Sequence, residues 1–115
     1  MLLEEFLDRV KAGGKVSFQD SIAVIAAYYR YTPIRFANGD VVNEAGTNEG
    51  SCKLFYFAKL HGLTPAQTLA LFGDYYWKDV LELPETNSHA NIRSFMRHGW
   101  EGIAYDGEAL QKLEE

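Results

Sequence analysis

The sequence predicts an α+β fold that is mostly α-helical, with about five helices and a small two- or three-stranded antiparallel sheet. Three observations predict it. Apolar residues recur at helical spacing in five stretches. Two of those stretches follow a capping signal, Ser17 with Asp20 and Thr64 with Gln67. One Asn-Gly pair, Asn38-Gly39, stands between two short runs and marks a hairpin. The 115 residues suit one domain over 1–115. Hydrophobic residues at 47% and aromatics at 14% supply a core without disulfide or metal, and argue against disorder.

Leu3, Phe6, Leu7 and Val10 make the stripe of a first helix, stopped by Gly13-Gly14. Phe18, Ile22, Ile25 and Tyr29 line a second helix, which Thr32-Pro33 ends, because the residue before proline is pushed out of the α region. Residues 34–37 and Val41-Val42 flank Asn38-Gly39, the favoured pair for a type I′ turn. Residues 51–61 form a third helix. It is apolar on most faces and therefore central, with Gly62 as its cap.

Thr64-Pro65-Ala66-Gln67 starts a fourth helix. Gly73 breaks or kinks it before residues 75–83, and Pro84 ends it. Asn87-Ser88 starts a fifth helix with Ile92, Phe95 and Met96 inward, closed by Gly99. Residues 100–105 offer a third strand beside 34–37. The tail 107–115 reads as a weak helix or a frayed end.

A net charge of −5 argues against a broad nucleic-acid or anionic-membrane surface. The tyrosines and Trp77 are not interleaved with Lys or Arg, so they read as core and rim, not as a base-stacking platform. No run of 18 apolar residues exists, and the acidic N-terminus lacks the basic start of a secretory signal. One cysteine, Cys52, excludes an internal disulfide and fits a reducing compartment.

The polar, glycine-rich stretch 38–53, NGDVVNEAGTNEGSCK, is the candidate site. It is not a P-loop, since Lys does not follow the second Gly of GTNEGSCK. It is not an EF-hand, since the sixth position from Asp40 is Ala45. As a ligand loop it offers Asn38, Asp40, Asn43, Asn48, Ser51 and Lys53, with first-turn amides of the third helix as anion donors. Asp40, Glu44 and Glu49 would oppose an anion. As a plain connection, its Gly and Asn residues only supply left-handed turns.

Cys52 is the candidate nucleophile of an enzyme reading. The helix start and Lys53 pull its pKa down, while burial pushes it up, and burial is the larger effect. No histidine is spaced to serve as its base. His89, Arg93 and Arg97 fall on one helical stripe. Arg93 is a further candidate for ligand contact, or else the arginines pair with Glu82, Glu85 or Glu101. His and Cys match no zinc spacing, and neither metal nor cofactor is indicated.

Tyr31-Thr32-Pro33, Asn38-Gly39-Asp40, Asn48 with Gly50-Ser51-Cys52-Lys53, His61-Gly62-Leu63, Phe72-Gly73, Asn91-Ile92-Arg93 and Gly99-Trp100-Glu101-Gly102 together resemble the HopJ type III effector family, over residues 18–107. The resemblance implies a bacterial protein associated with type III secretion into a host cell. It brings no activity, cofactor or catalytic residue with it. A helix within the first few residues leaves little room for a flexible secretion leader, so a housekeeping role in the bacterial cytoplasm stands beside secretion. The expectation is a small binding or interaction domain with its site at 38–53, taking a protein partner or a small anionic ligand. A Cys52-dependent enzyme is the alternative.

Overall fold

The structure, a computed structural model, describes residues 2–113. The chain runs α1 (Leu3–Lys11), α2 (Phe18–Tyr28), β1 (Tyr29–Tyr31), β2 (Phe36–Asn38), β3 (Val41–Asn43), α3 (Glu49–Leu60) and α4 (Pro65–Ala70). A π-helical segment (Tyr75–Val80), α5 (Ala90–His98), a 3-10 turn (Gly99–Gly102), β4 (Ile103–Tyr105) and β5 (Leu110–Lys112) complete it. This is the helix-rich α+β architecture that the stripes predict.

Helix α3 is the axis of the molecule. Every residue from Leu54 to Ala58 is buried, so no face of its central turns is left to water. Phe55 meets Phe72 and Phe95, and Phe57 meets Phe6 and Tyr29, with ring centroids 4.9–6.0 Å apart. Each such side chain, fully buried, contributes roughly 1.5–3 kcal/mol. Both capping boxes form: Ser17 with Asp20, and Thr64 with Gln67.

The hairpin is present but its turn is displaced by one residue. Asn38 pairs with Val41, so the central residues are Gly39 and Asp40. Gly39 has φ +60° and Asp40 is not left-handed, which is the II′ pattern and not I′. The reason is packing. A Cβ on Gly39 would stand 2.2 Å from His98 Cδ2 and 2.6 Å from Ser94 Oγ, so the glycine is needed where the turn presses on α5. Strand β4 pairs with β2, as the sequence suggests, with Phe36 opposite Tyr105.

Two ends depart from expectation. Helix α2 stops at Tyr28, and Tyr29–Tyr31 turns into strand β1 before the proline is reached. The tail is not helical: β5 pairs antiparallel with β1, Tyr31 opposite Leu110. The tail's apolar pair, Ala109 and Leu110, is buried, which ties it down. The tail residues Glu114 and Glu115 lie outside the described residues. Met96, expected inward, is exposed, and Asn91 and Ser94 take inward positions instead.

His61 closes α3 beside β1. Its Nε2 lies 2.5 Å from the Tyr29 hydroxyl. Burial, then the charges of Lys11 and Lys112, lower its pKa below the ordinary histidine range. The folded chain therefore favours neutral His61, hydrogen-bonded to the Tyr29 hydroxyl. In a narrow sense this is a pH-sensitive lock. The unfolded chain takes up a proton below about pH 6.5, and the folded chain only at lower pH. Stability from this group is complete above that pH, and falls as pH drops through it. Denaturant midpoints measured from neutral to acid pH should show a slope that His61→Gln reduces.

Candidate functional site

The residues that the sequence nominates do not stay together. Asn38 and Asn43 are buried, at 0% and 1% exposure, and their amides are committed inside the protein. Asn38 Nδ2 donates to the Asn91 carbonyl at 2.8 Å and to Asn91 Oδ1 at 3.1 Å. Asn43 Nδ2 donates to Asn91 Oδ1 at 3.0 Å, and Asn43 Oδ1 accepts from Asn91 Nδ2 at 2.9 Å and Asn48 Nδ2 at 2.7 Å. These two side chains hold the structure beneath the surface and offer a ligand nothing directly. Asp40 sits at the exposed hairpin tip, 3.8 Å from His98 Nε2. Lys53 turns away and places its ammonium 4.6 Å from the Tyr31 ring centre.

Asn48 and Ser51 meet residues far along the chain. They line a pocket of about 260 Å³ with His89, Asn91 and the rings of Phe18 and Tyr75. The pocket lies where α3 and α5 both begin. Neither helix has a side-chain cap. The first ladder bonds are Cys52 N–H to Asn48 and Arg93 N–H to His89, so the amides ahead of them have no partner within their helices. Both N-caps are left-handed, Asn48 at φ 48° and His89 at φ 55°, and they are the two non-glycine residues with positive φ among the described residues. Such a backbone costs of order 1–3 kcal/mol each, and persists where the surroundings demand it. Here the asparagine cluster demands it from below, through Asn48 and Asn91.

His89 is held by two contacts. Its Nε2 lies 3.0 Å from Asp79 Oδ2, and its ring packs against Tyr75 with centroids 5.1 Å apart. No carboxylate lines the pocket. The acids that opposed an anion in the sequence are elsewhere: Glu49 receives the Tyr31 hydroxyl and Glu44 pairs with Arg35. Sequence reasoning named His89 only as part of a basic stripe with Arg93 and Arg97, and it missed Tyr75 and Phe18 as site residues.

Arg93 lies outside this pocket. It pairs with none of Glu82, Glu85 and Glu101. Its guanidinium donates instead to the carbonyls of Asp79, Leu83, Pro84 and Ser88 and to the Thr86 hydroxyl. The planar fork reaches several acceptors at once, which the point charge of a lysine cannot do. Residues 81–88 are exposed and have no regular structure, so Arg93 is what fastens them to α5.

Cys52 is buried at 1% exposure and is absent from the pocket lining. Its thiol donates to the Ile34 carbonyl at 3.7 Å. Burial pushes its pKa up, Glu49 adds to this, and hydrogen bonding with Ile34, Tyr31 and Tyr105 opposes it. Burial wins, as its place on an apolar helix suggests. Among the described residues, no group of three or more His, Cys, Asp or Glu could hold a metal ion. No helix there is long and apolar enough to cross a membrane.

Two expected outcomes follow from these environments. Arg93→Ala lowers the urea midpoint by an amount worth about 1–3 kcal/mol, and Arg93→Lys does not restore it. Arg97→Ala stays within about 0.5 kcal/mol of the parent chain. Cys52 reacts slowly with iodoacetamide in the native protein and rapidly in denaturant, as followed by mass. Cys52→Ser loses about 1–3 kcal/mol by burying a hydroxyl in its place.

The comparisons with known proteins agree with the fold. No curated protein matches the chain. The crystal structure of the unknown-function protein VPA0580 superposes with a TM-score of 0.96 at 46% identity, covering 98% of this chain and 95% of that one. The family model described as HopJ type III effector protein matches residues 3–110. A match over nearly the whole sequence makes this chain a member of the HopJ type III effector protein family.

Proposed function

We propose that the chain is a small binding domain whose ligand is an anion carried on a compact planar body, held between the starts of α3 and α5. The observation that carries this reading is the pairing of two uncapped, left-handed helix starts across one aromatic-walled pocket free of carboxylates. The unpartnered amides and both helix dipoles favour negative charge there. Ser51 adds a hydroxyl donor, and Phe18, Tyr75 and the His89 ring supply flat walls. The volume, near 260 Å³, suits a small ligand.

A cysteine-dependent enzyme draws no support from the geometry. The thiol is buried, its proton is held, and it does not reach the pocket. Family membership supports type III secretion as the setting, and the same site would serve equally in the bacterial cytoplasm.

Phenyl phosphate is the probe, with inorganic phosphate and phenol as its two halves. Titrated into the labelled protein, it should shift the amides of Gly50, Ser51, Ala90 and Asn91 saturably. Phosphate should bind more weakly, and phenol not at all. Tyr75→Ala and His89→Asn should each weaken phenyl phosphate by about tenfold, or about 1.4 kcal/mol. Asparagine is chosen because it tolerates the left-handed backbone. Absence of saturable shifts at about 10 mM, a free energy of only about 3 kcal/mol, would remove the proposal.

A further inference from the structure

On the opposite side of α5 from the core lies a second concavity, a groove of about 560 Å³. Its floor is Val41, Val80, Leu81, Pro84 and Met96. Leu81 and Met96 are 42% and 45% exposed, and the neighbouring Val42 and Leu83 are more exposed still. Two of the large apolar side chains that face water therefore line one groove. Apolar groups gathered in one patch mark an interaction surface more often than the same groups scattered.

The rim is cationic, against the sign of the chain. Arg93 and Arg97, one helical turn apart on α5, both line the groove. Neither has a carboxylate within 4.0 Å among the described residues. Glu85 is the one acid in the lining. A net charge of −5 over the chain makes two arginines without a carboxylate partner, beside apolar side chains, a local exception. The groove is also preformed. Arg93 fastens the carbonyls of Leu83, Pro84 and Ser88 to α5, so the loop wall does not have to be ordered by the partner.

We infer that this groove docks an acidic amphipathic helical segment of another protein, its apolar side chains on Leu81 and Met96 and its carboxylates toward Arg97 and Arg93. The charge selects the occupant. A basic segment would be repelled by the two arginines, and an acidic one is drawn to them. An amphipathic helix carries apolar residues along one side and carboxylates along the other, which suits an apolar floor with a cationic rim.

The test uses two fluorescein-labelled synthetic peptides on the full chain. One has Leu at helical spacing with Glu between, and the other has Lys for every Glu. The acidic peptide should raise its anisotropy saturably and shift the amides of Val41, Leu81 and Met96. Arg97→Glu and Met96→Asp, both at exposed positions, should weaken it at least about tenfold, with thermal midpoints unchanged. Phenyl phosphate should not compete, since its proposed pocket is separate. Equal binding of the two peptides, no binding of the acidic one at about 1 mM, or unchanged affinity in Arg97→Glu would overturn the inference. So would a concentration-dependent dimer in sedimentation that Met96→Asp abolishes.

Discussion

The structure depends on a cluster of asparagines. Asn38 on β2, Asn43 on β3, Asn48 before α3 and Asn91 in the first turn of α5 bond to one another across up to 53 residues of sequence. Amides suit this position because each carries both donors and an acceptor, so they can link in a ring without a net charge. Each bond is worth about 1 kcal/mol net, but breaking one strands a buried partner at about 1–3 kcal/mol. The cluster is thus more costly to damage than it is stabilising to form. One atom shows the tension: Asn38 Oδ1 is buried without a partner among the described residues.

From that cluster follow the two features that give the molecule its surfaces. Asn48 is pulled inward by Asn43, and Asn91 is pulled inward by both Asn38 and Asn43. The residues that precede these helices then have to turn sharply. Left-handed backbone at Asn48 and at His89 is the result. On the far side, Ser94 donates to the Asn38 carbonyl at 2.6 Å, which seats α5 against the hairpin. Gly39 and Gly102 are required there, because a Cβ on either would collide with the opposing chain. With its inner face so engaged, α5 presents Arg93, Met96 and Arg97 outward.

How much of this could be read from the chain follows from the range of each interaction. Caps and stripes are local, and the capping boxes at Ser17 and Thr64 and the buried run from Leu54 to Ala58 were legible. Strand β4 was legible because its partner also carried a hairpin signal. Strand β5 was not. Three residues with no turn of their own pair with β1, some 80 positions earlier, and the burial of Ala109 and Leu110 makes that pairing favourable. In the candidate site, local reasoning found the stretch 38–53 and not what it faces. The burial of Asn38 and Asn43 depends on Asn91, and no spacing in the sequence joins them. The expected ion pairs of Arg93 failed for a related reason. A guanidinium counts carbonyls as readily as carboxylates, and carbonyls leave no mark in a sequence.

The position of the pocket has a physical cause in α3 itself. A helix whose middle turns are buried all round can meet solvent only through its ends. At its C-terminal end the backbone is capped. Leu63 N–H bonds back to Ala58, Gly62 takes φ +62°, and the Leu63 carbonyl receives the Trp100 indole at 3.0 Å. Its N-terminal end is left open, with Asn48 spending its amide on Asn43 in place of capping the helix. An N-cap hydrogen bond there would contribute about 1 kcal/mol, and the fold forgoes it. Helix α5 forgoes the same bond at the same pocket, since His89 turns to Asp79. Two helices that each decline a cap, at one shared surface, leave their first-turn donors without a partner inside their own helices, and that is the feature the proposed ligand would use.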